Sequence, residues 1–223
     1  MGTERAVLFA NGELRNPAVV KEMLQPSDFL VCVDGGLRYL KSLGLRPHLL
    51  IGDLDSISAG EVLELEKEQV RIQRYPVEKD ETDLELALLA VLKEGYRTMR
   101  LVAALGGRLD QTLGNLFLLT LPALSGCDIR MEDGVEEAFI IRARETILGQ
   151  PGDIVSLLPL AGKVTGVVTQ GLRYPLQAET LWFDRTRGIS NVLLENQAVI
   201  EVGTGVLLAI HTRKPARFDS WQF

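Results

Sequence analysis

Between Arg5 and Arg130, short apolar runs alternate with longer stretches in which apolar residues recur every three or four positions. The runs at 6–10, 29–33, 48–51, 70–73, 99–104 and 127–131 read as strands, and the stretches at 17–24, 37–43, 58–67, 83–92 and 111–119 read as helices. Strand and helix in alternation predict a mostly parallel sheet with helices on its faces. In the stretch 83–92, Leu84, Leu88, Val91 and Leu92 fall on one helical face. Thr82 with Glu85 has the spacing of a capping box, and Ser58 with Glu61 repeats it one helix earlier.

Beyond Gly134 the helical period nearly vanishes. Strand-like runs at 139–141, 154–158, 164–168, 181–183, 198–202 and 206–211 are separated by turn residues, among them Gly149-Gln-Pro-Gly152, Ala161-Gly162, Gly171 and Gly203-Thr-Gly205. This rhythm predicts a small all-β sandwich. The expected organisation is therefore an α/β domain over residues 1–133 and a carboxyl-terminal β-sandwich over 134–223.

The chain has 223 residues, 46% of them hydrophobic, enough for two cores. Its net charge of −6 argues against the basic face that a nucleic-acid backbone demands. The two cysteines, Cys32 and Cys127, are too few and too far apart for a disulfide framework or a four-thiolate metal site. No apolar stretch nears the ~18 residues of a membrane helix, and the first residues lack the pattern of a secretory leader. The expectation is a cytoplasmic protein with no membrane or nucleic-acid partner.

In an open parallel sheet, ligands bind outside the carboxyl ends of the strands. Run 29–33 is followed by Asp34-Gly35-Gly36, run 48–51 by Gly52-Asp53-Leu54-Asp55-Ser56, and run 99–104 by Gly106-Gly107-Arg108-Leu109-Asp110. Run 70–73 leads through Lys79-Asp80-Glu81-Thr82 to Asp83. Four strand ends thus bring carboxylates to one edge, an arrangement that is costly unless a cation neutralises them. Mg²⁺, held by a few carboxylates and substrate phosphates, suits that role, with Asp53, Asp55 and Asp83 as its ligands. Gly35, Gly36, Gly106 and Gly107 let backbone amides approach phosphate oxygens, while Lys79, Arg38 and Arg108 offset triphosphate charge. Taken singly, each feature is also an ordinary turn former or helix cap; their coincidence on one edge points to a metal–triphosphate site. His48 and His211 lie within strand-like runs and are assigned no catalytic role.

The ordered series Val33-Asp34-Gly35-Gly36, Ile51-Gly52-Asp53-Leu54-Asp55-Ser56, Lys79-Asp80-Glu81-Thr82-Asp83-Leu84-Glu85 and Gly106-Gly107-Arg108-Leu109-Asp110 resembles the thiamine pyrophosphokinase family. Gly188-Ile189-Ser190-Asn191 is similar to that family's thiamine-domain signature. The resemblance implies an amino-terminal ATP domain, a carboxyl-terminal thiamine domain, and a homodimer holding thiamine between domains of different subunits. It implies transfer of a diphosphate from ATP to thiamine with release of AMP. Carried residue by residue, it makes Asp53, Asp55 and Asp83 the Mg²⁺ ligands and, with Lys79 and Arg108, the catalytic set. Asp34, Gly35, Gly36, Arg38, Asp80, Thr82, Gly107, Asp110 and Asn115 would bind the nucleotide, and Ser190, Asn191 and Tyr174 would meet thiamine. Gln111 stands where the family often has histidine, and Trp182 either stacks on thiamine or packs in the sandwich. The alternatives are another Mg²⁺-dependent nucleotide transferase or phosphohydrolase, or a nucleotide-binding sensor without activity.

Overall fold

The computed structural model describes residues 5–214, which form two compact units divided in sequence between Gly134 and Val135. The first unit contains β1 (Arg5–Phe9), α1 (Pro17–Met23), β2 (Phe29–Val33), α2 (Leu37–Leu43), β3 (Leu49–Gly52), α3 (Ala59–Lys67), β4 (Arg71–Arg74), α4 (Asp83–Lys93), β5 (Thr98–Val102), α5 (Leu109–Leu118) and β6 (Asp128–Glu132). These six strands are parallel, in the order β6-β5-β1-β2-β3-β4. The chain steps outward from β1 to β4, then crosses to the other side of β1 for β5. That reversal leaves a crevice at the carboxyl ends of the strands. Val7, Phe9, Leu40 and Leu50 are fully buried between the sheet and its helices.

Local chemistry sets the helix ends. At α3 the capping box is complete: Ser58 Oγ accepts from the Glu61 N–H, and the Glu61 carboxylate accepts from the Ser58 N–H at 3.0 Å. At α4 only the first half of the expected box forms, with Thr82 accepting from the Glu85 N–H at 3.3 Å. Helix α5 begins two residues before the predicted start, which places Asp110 in its first turn, where a carboxylate meets the positive end of the helix dipole.

The second unit contains β7 (Glu136–Ile141), β8 (Arg144–Leu148), β9 (Ile154–Pro159), β10 (Val164–Gln170), β11 (Glu179–Leu181), β12 (Asn191–Val192), β13 (Gln197–Glu201) and β14 (Leu207–Thr212). Its strands make two antiparallel sheets, β12-β9-β14-β7 and β11-β10-β13-β8. Phe139, Val155, Leu157 and Ala209 from one sheet pack with Ile147, Val167 and Ile200 from the other in a single buried core, the sandwich expected from the sequence. Strands β8 and β12 escape the hydrophobic pattern: only Ile147 is buried in β8, and β12 has two residues. The run predicted at 181–183 is instead the end of β11, beyond which Trp182 and Phe183 are exposed.

Asp153 organises one end of this unit. Its buried carboxylate accepts from the Gln150 N–H (2.9 Å) and the Lys214 N–H (2.8 Å), and it lies 2.8 Å from His211 Nε2. His211 is thus buried in the core with its Nε2 on Asp153, while its Nδ1 lies 4.0 Å from Glu137 with no hydrogen-bond partner among the described residues; His48 is exposed, its Nδ1 accepting from the Leu30 N–H and its ring stacked on Phe29. Among the described residues, no helix is long and apolar enough to cross a membrane.

Candidate active site

The carboxyl ends of β1 to β5 surround a cleft of about 740 Å³. After β1 come Asn11 and Gly12, after β2 Asp34, and after β3 Asp53 and Asp55. After β4 come Lys79, Thr82 and Asp83, and after β5 Gly107, Arg108 and Asn115. The cleft has the size of a small-molecule site and lies where the strand order reverses.

Neighbouring strands bring the acids together. Val33 of β2 pairs with Ile51 of β3, so the residues after each strand emerge side by side. One carboxylate oxygen from each of Asp34, Asp53 and Asp55 lies within 4.8 Å of the other two. Asp34 (φ 43°) and Leu54 (φ 68°) occupy the left-handed region, which costs a non-glycine residue of order 1–3 kcal/mol and concentrates at functional sites. The Ser56 hydroxyl lies 3.0 Å from Asp34 and 3.1 Å from Asp55, so its single proton serves one acid at a time. Asp34 Oδ1 is buried with no hydrogen-bond partner among the described residues. Burial pushes the Asp34 carboxyl above its usual range; bonds from Gly35 and Ser56 pull it down, and the charges of Asp53 and Asp83 push it up again.

Lys79 supplies an internal cation. Its Nζ is 3.0 Å from Asp83 and 3.7 Å from Asp53, and it donates to the Pro76 carbonyl at 2.9 Å. The Asp83 contact is an ion pair and not a well-aligned hydrogen bond, because among the described residues no donor is directed at Asp83 Oδ1. Burial lowers the lysine's pKa, but Asp83 and Asp53 outweigh it and hold the ammonium above its ordinary value.

The cleft gathers Asp34, Asp53, Asp55, Lys79, Thr82, Asp83, Gly107, Arg108 and Asn115 from the sequence-based set. Its acidic cluster differs from the expected triad: Asp34 joins Asp53 and Asp55, while Asp83 faces Lys79. Gly35, Gly36, Arg38, Asp80 and Asp110 stand outside the lining. A Cβ on Gly36 would fall 1.9 Å from the Phe9 carbonyl oxygen, so this glycine serves the close approach of two backbones. Arg38 donates to the Asn11 and Gly12 carbonyls at 3.0 and 2.9 Å and so braces the loop after β1. Arg108 grips Asp110 with two bonds, 2.6 and 3.1 Å, and holds that carboxyl below its usual range. Asn115 donates to the Ala104 carbonyl at 2.8 Å, fixing α5 to the loop after β5. Sequence reasoning does not single out Asn11 and Gly12, although they stand directly after run 6–10 and so hold the same strand-end position as Asp34 and Asp53.

In the second unit, Ser190 is exposed at φ 56°, and its N–H donates to Ser156 Oγ at 3.0 Å. Tyr174 is 57% exposed. Asn191, by contrast, is buried, with its amide turned inward onto the Tyr174 backbone.

A cleft at the reversal of an open parallel sheet is where α/β proteins of this kind hold their ligands, and fold and cleft together put this chain in the class of doubly wound α/β ligand-binding proteins. Residues 20–131 match the family profile described as thiamin pyrophosphokinase, catalytic domain, and residues 140–207 that described as thiamin pyrophosphokinase, vitamin B1 binding domain. The chain belongs to the thiamine pyrophosphokinase family. Among curated relatives it is 29% identical over 182 residues to a thiamine pyrophosphokinase of Bacillus subtilis, covering 81% of this chain and 85% of that one. Thiamin pyrophosphokinase 1 of Caenorhabditis elegans is 22% identical over 228 residues, covering 91% and 87% of the two chains. The crystal structure of the Bacillus subtilis thiamine pyrophosphokinase superposes with a TM-score of 0.85 at 24% identity, covering 95% of this chain and 100% of that one, which establishes the shared fold.

Proposed function

We propose that this chain, as a thiamine pyrophosphokinase, moves a diphosphate from ATP onto the hydroxyl of thiamine and that the acidic cleft of its α/β unit is where the transfer occurs. The observation that carries the site assignment is the convergence of five strand ends on one cleft holding three carboxylates within 4.8 Å and a lysine beside them. A non-catalytic sensor or an unrelated phosphotransferase is not favoured, because the catalytic and the vitamin B1 binding profiles both match.

The donor set fits Mg²⁺. It consists of hard carboxylate oxygens, and Asp34 contributes a buried oxygen without a hydrogen-bond partner among the described residues. Asp34, Asp53 and Asp55 would hold the ion, with Asp83 kept in reserve by Lys79. When bound, the ion neutralises the crowded acids and screens the phosphate oxygens.

The chain's own residues then position the substrates. Lys79 and Arg108 face the triphosphate and offset charge on the bridging and leaving oxygens. The Gly107 backbone, left-handed at φ 70° with open space where a Cβ would stand, lets that loop lie close to a phosphate. A bond forms between the thiamine hydroxyl oxygen and the β-phosphorus, the bond to the α–β bridging oxygen breaks, and AMP leaves in line. The hydroxyl proton passes to a carboxylate or to water; the loose transition state of such transfers asks little of a base. Thiamine is assigned to the second unit, at the surface carrying Ser190 and Tyr174.

Asp53→Ala and Asp55→Ala should each lower turnover ~10²–10³-fold through loss of charge stabilisation, with an unchanged circular dichroism spectrum. Near-normal rates at saturating Mg²⁺ would remove the cluster from the mechanism. The working form is assigned as a homodimer. Its support is the row of exposed apolar side chains Leu109, Leu113 and Phe117, four residues apart on α5, and sedimentation at micromolar concentration reads it directly.

A further inference from the structure

Two polar side chains of the second unit spend their hydrogen bonds on main chain at the edge of the thiamine-binding surface. Asn191 is 5% exposed. Its Oδ1 accepts from the Tyr174 N–H at 3.0 Å and the Val192 N–H at 2.9 Å, and its Nδ2 donates to the Tyr174 carbonyl at 2.7 Å. The amide thus grips Tyr174 on both sides, as a neighbouring strand would, yet the Tyr174 side chain stands out in solvent. Burying an amide is tolerated only when its hydrogen bonds are met, and here they are met by holding one exposed tyrosine in place. Ser156 does the same for Ser190. Ser190 sits at φ 56°, a left-handed conformation that a serine adopts only when held, and its N–H ends on Ser156 Oγ at 3.0 Å.

Both clamps rest on β9, the strand that carries Ser156. Val155 pairs with Asn191, Ser156 pairs with Ile210 of β14, and the Leu157 N–H donates to the Gly188 carbonyl at 2.9 Å. Strand β9, paired on both sides, therefore holds the strip from Gly188 to Asn191, and through Asn191 the loop of Tyr174. A flat, cationic ligand with a polar ring edge needs this pairing: an aromatic face for the cation and a hydroxyl at a set distance from it.

We propose that Asn191 and Ser156 are positioning residues for thiamine: neither touches it, Asn191 sets the pose of the Tyr174 ring, and Ser156 sets the pose of the Ser190 hydroxyl. This rests on the assignment of thiamine to the surface of Ser190 and Tyr174.

The test is a double-mutant cycle on the full-length enzyme, reading the thiamine KM, the ATP KM, kcat and Tm. Asn191→Ala should raise the thiamine KM about tenfold while ATP KM and kcat stay within about twofold, the signature of lost ground-state positioning. In a Tyr174→Ala background, Asn191→Ala should raise it no further, because the residue through which it acts is gone. An Asn191→Ala effect of full size in the Tyr174→Ala background overturns the proposal, as does an unchanged thiamine KM in Asn191→Ala. An unchanged KM in Tyr174→Ala alone shows in addition that the thiamine surface itself is wrongly assigned. If Asn191→Ala does not fold, the Ser156→Ala and Ser190→Ala cycle asks the same question, with additivity again the contradicting result.

Discussion

At Asp34 the fold half-buries a carboxylate beside Asp53 and Asp83 and leaves one of its oxygens without a partner among the described residues. Its pKa is raised chiefly by burial, so the folded protein binds this proton more tightly than the unfolded chain does. The favourable contribution is therefore complete below the ordinary carboxylate value of about 3.9 and is lost as pH rises through the raised value. At neutral pH the charge works against the fold in the absence of metal. Asp34→Asn should raise the Tm of the chelator-treated protein at pH 7.5, and the gain should vanish near pH 3.5, below the ordinary carboxylate value. Asparagine tolerates the left-handed backbone at this position, so strain does not confuse the comparison. A Tm that falls at pH 7.5 would show that the Asp34 charge is already compensated without metal. Mg²⁺ should stabilise the wild type and lose most of that effect in the variant, a readout independent of turnover.

The elements turn a sequence pattern into a site, and here the glycine-rich turn between β2 and α2 matters most. A Cβ at Gly36 would meet the Phe9 carbonyl at 1.9 Å, and backbone on both sides prevents easy relief. Gly36→Ala should therefore destabilise the protein by ~1–3 kcal/mol, as overpacking does, and should raise the ATP KM because the turn carries Asp34 and abuts the Asn11 loop. Unchanged Tm and unchanged ATP KM would contradict this packing. The parallel part of the fold was legible because its runs are apolar and bounded: strand 29–33 and helix 37–43 fall where the sequence places them. Strand β8 was not legible, since Arg-Glu-Thr-Ile-Leu buries one side chain and alternates with no clear face. The site was read in part. The residues at the end of a strand can be seen in the sequence, but which strands are neighbours cannot; the pairing of β2 with β3 is the contact that gives Asp53 and Asp55 the company of Asp34, with Asp83 reaching Asp53 across Lys79. Likewise Asn191 was legible as a motif residue, yet only its burial and its bonds to Tyr174 show that its amide faces the protein.

For the whole molecule, a chain of net charge −6 receives an anionic nucleotide, so its long-range field does not draw the substrate in. The proposed site leaves that to local cations, Lys79 within the cleft and Arg108 on its wall. The two units divide the work, the α/β unit matching the catalytic profile and the sandwich the vitamin B1 profile. Substitutions at Asp53 or Asp55 should therefore act on turnover, and those at Ser190 on the thiamine KM. A Ser190→Ala enzyme with an altered ATP KM and an unaltered thiamine KM would contradict that division. The most direct measurement traces phosphorus through the reaction, using ATP labelled separately at the α-, β- and γ-positions with thiamine and Mg²⁺. Diphosphate transfer in the acidic cleft predicts the β- and γ-labels together in thiamine diphosphate and the α-label in AMP, with all product formation lost on chelation and in Asp53→Ala. Release of labelled ADP or free phosphate in place of AMP, or unabated transfer by Asp53→Ala, would contradict it.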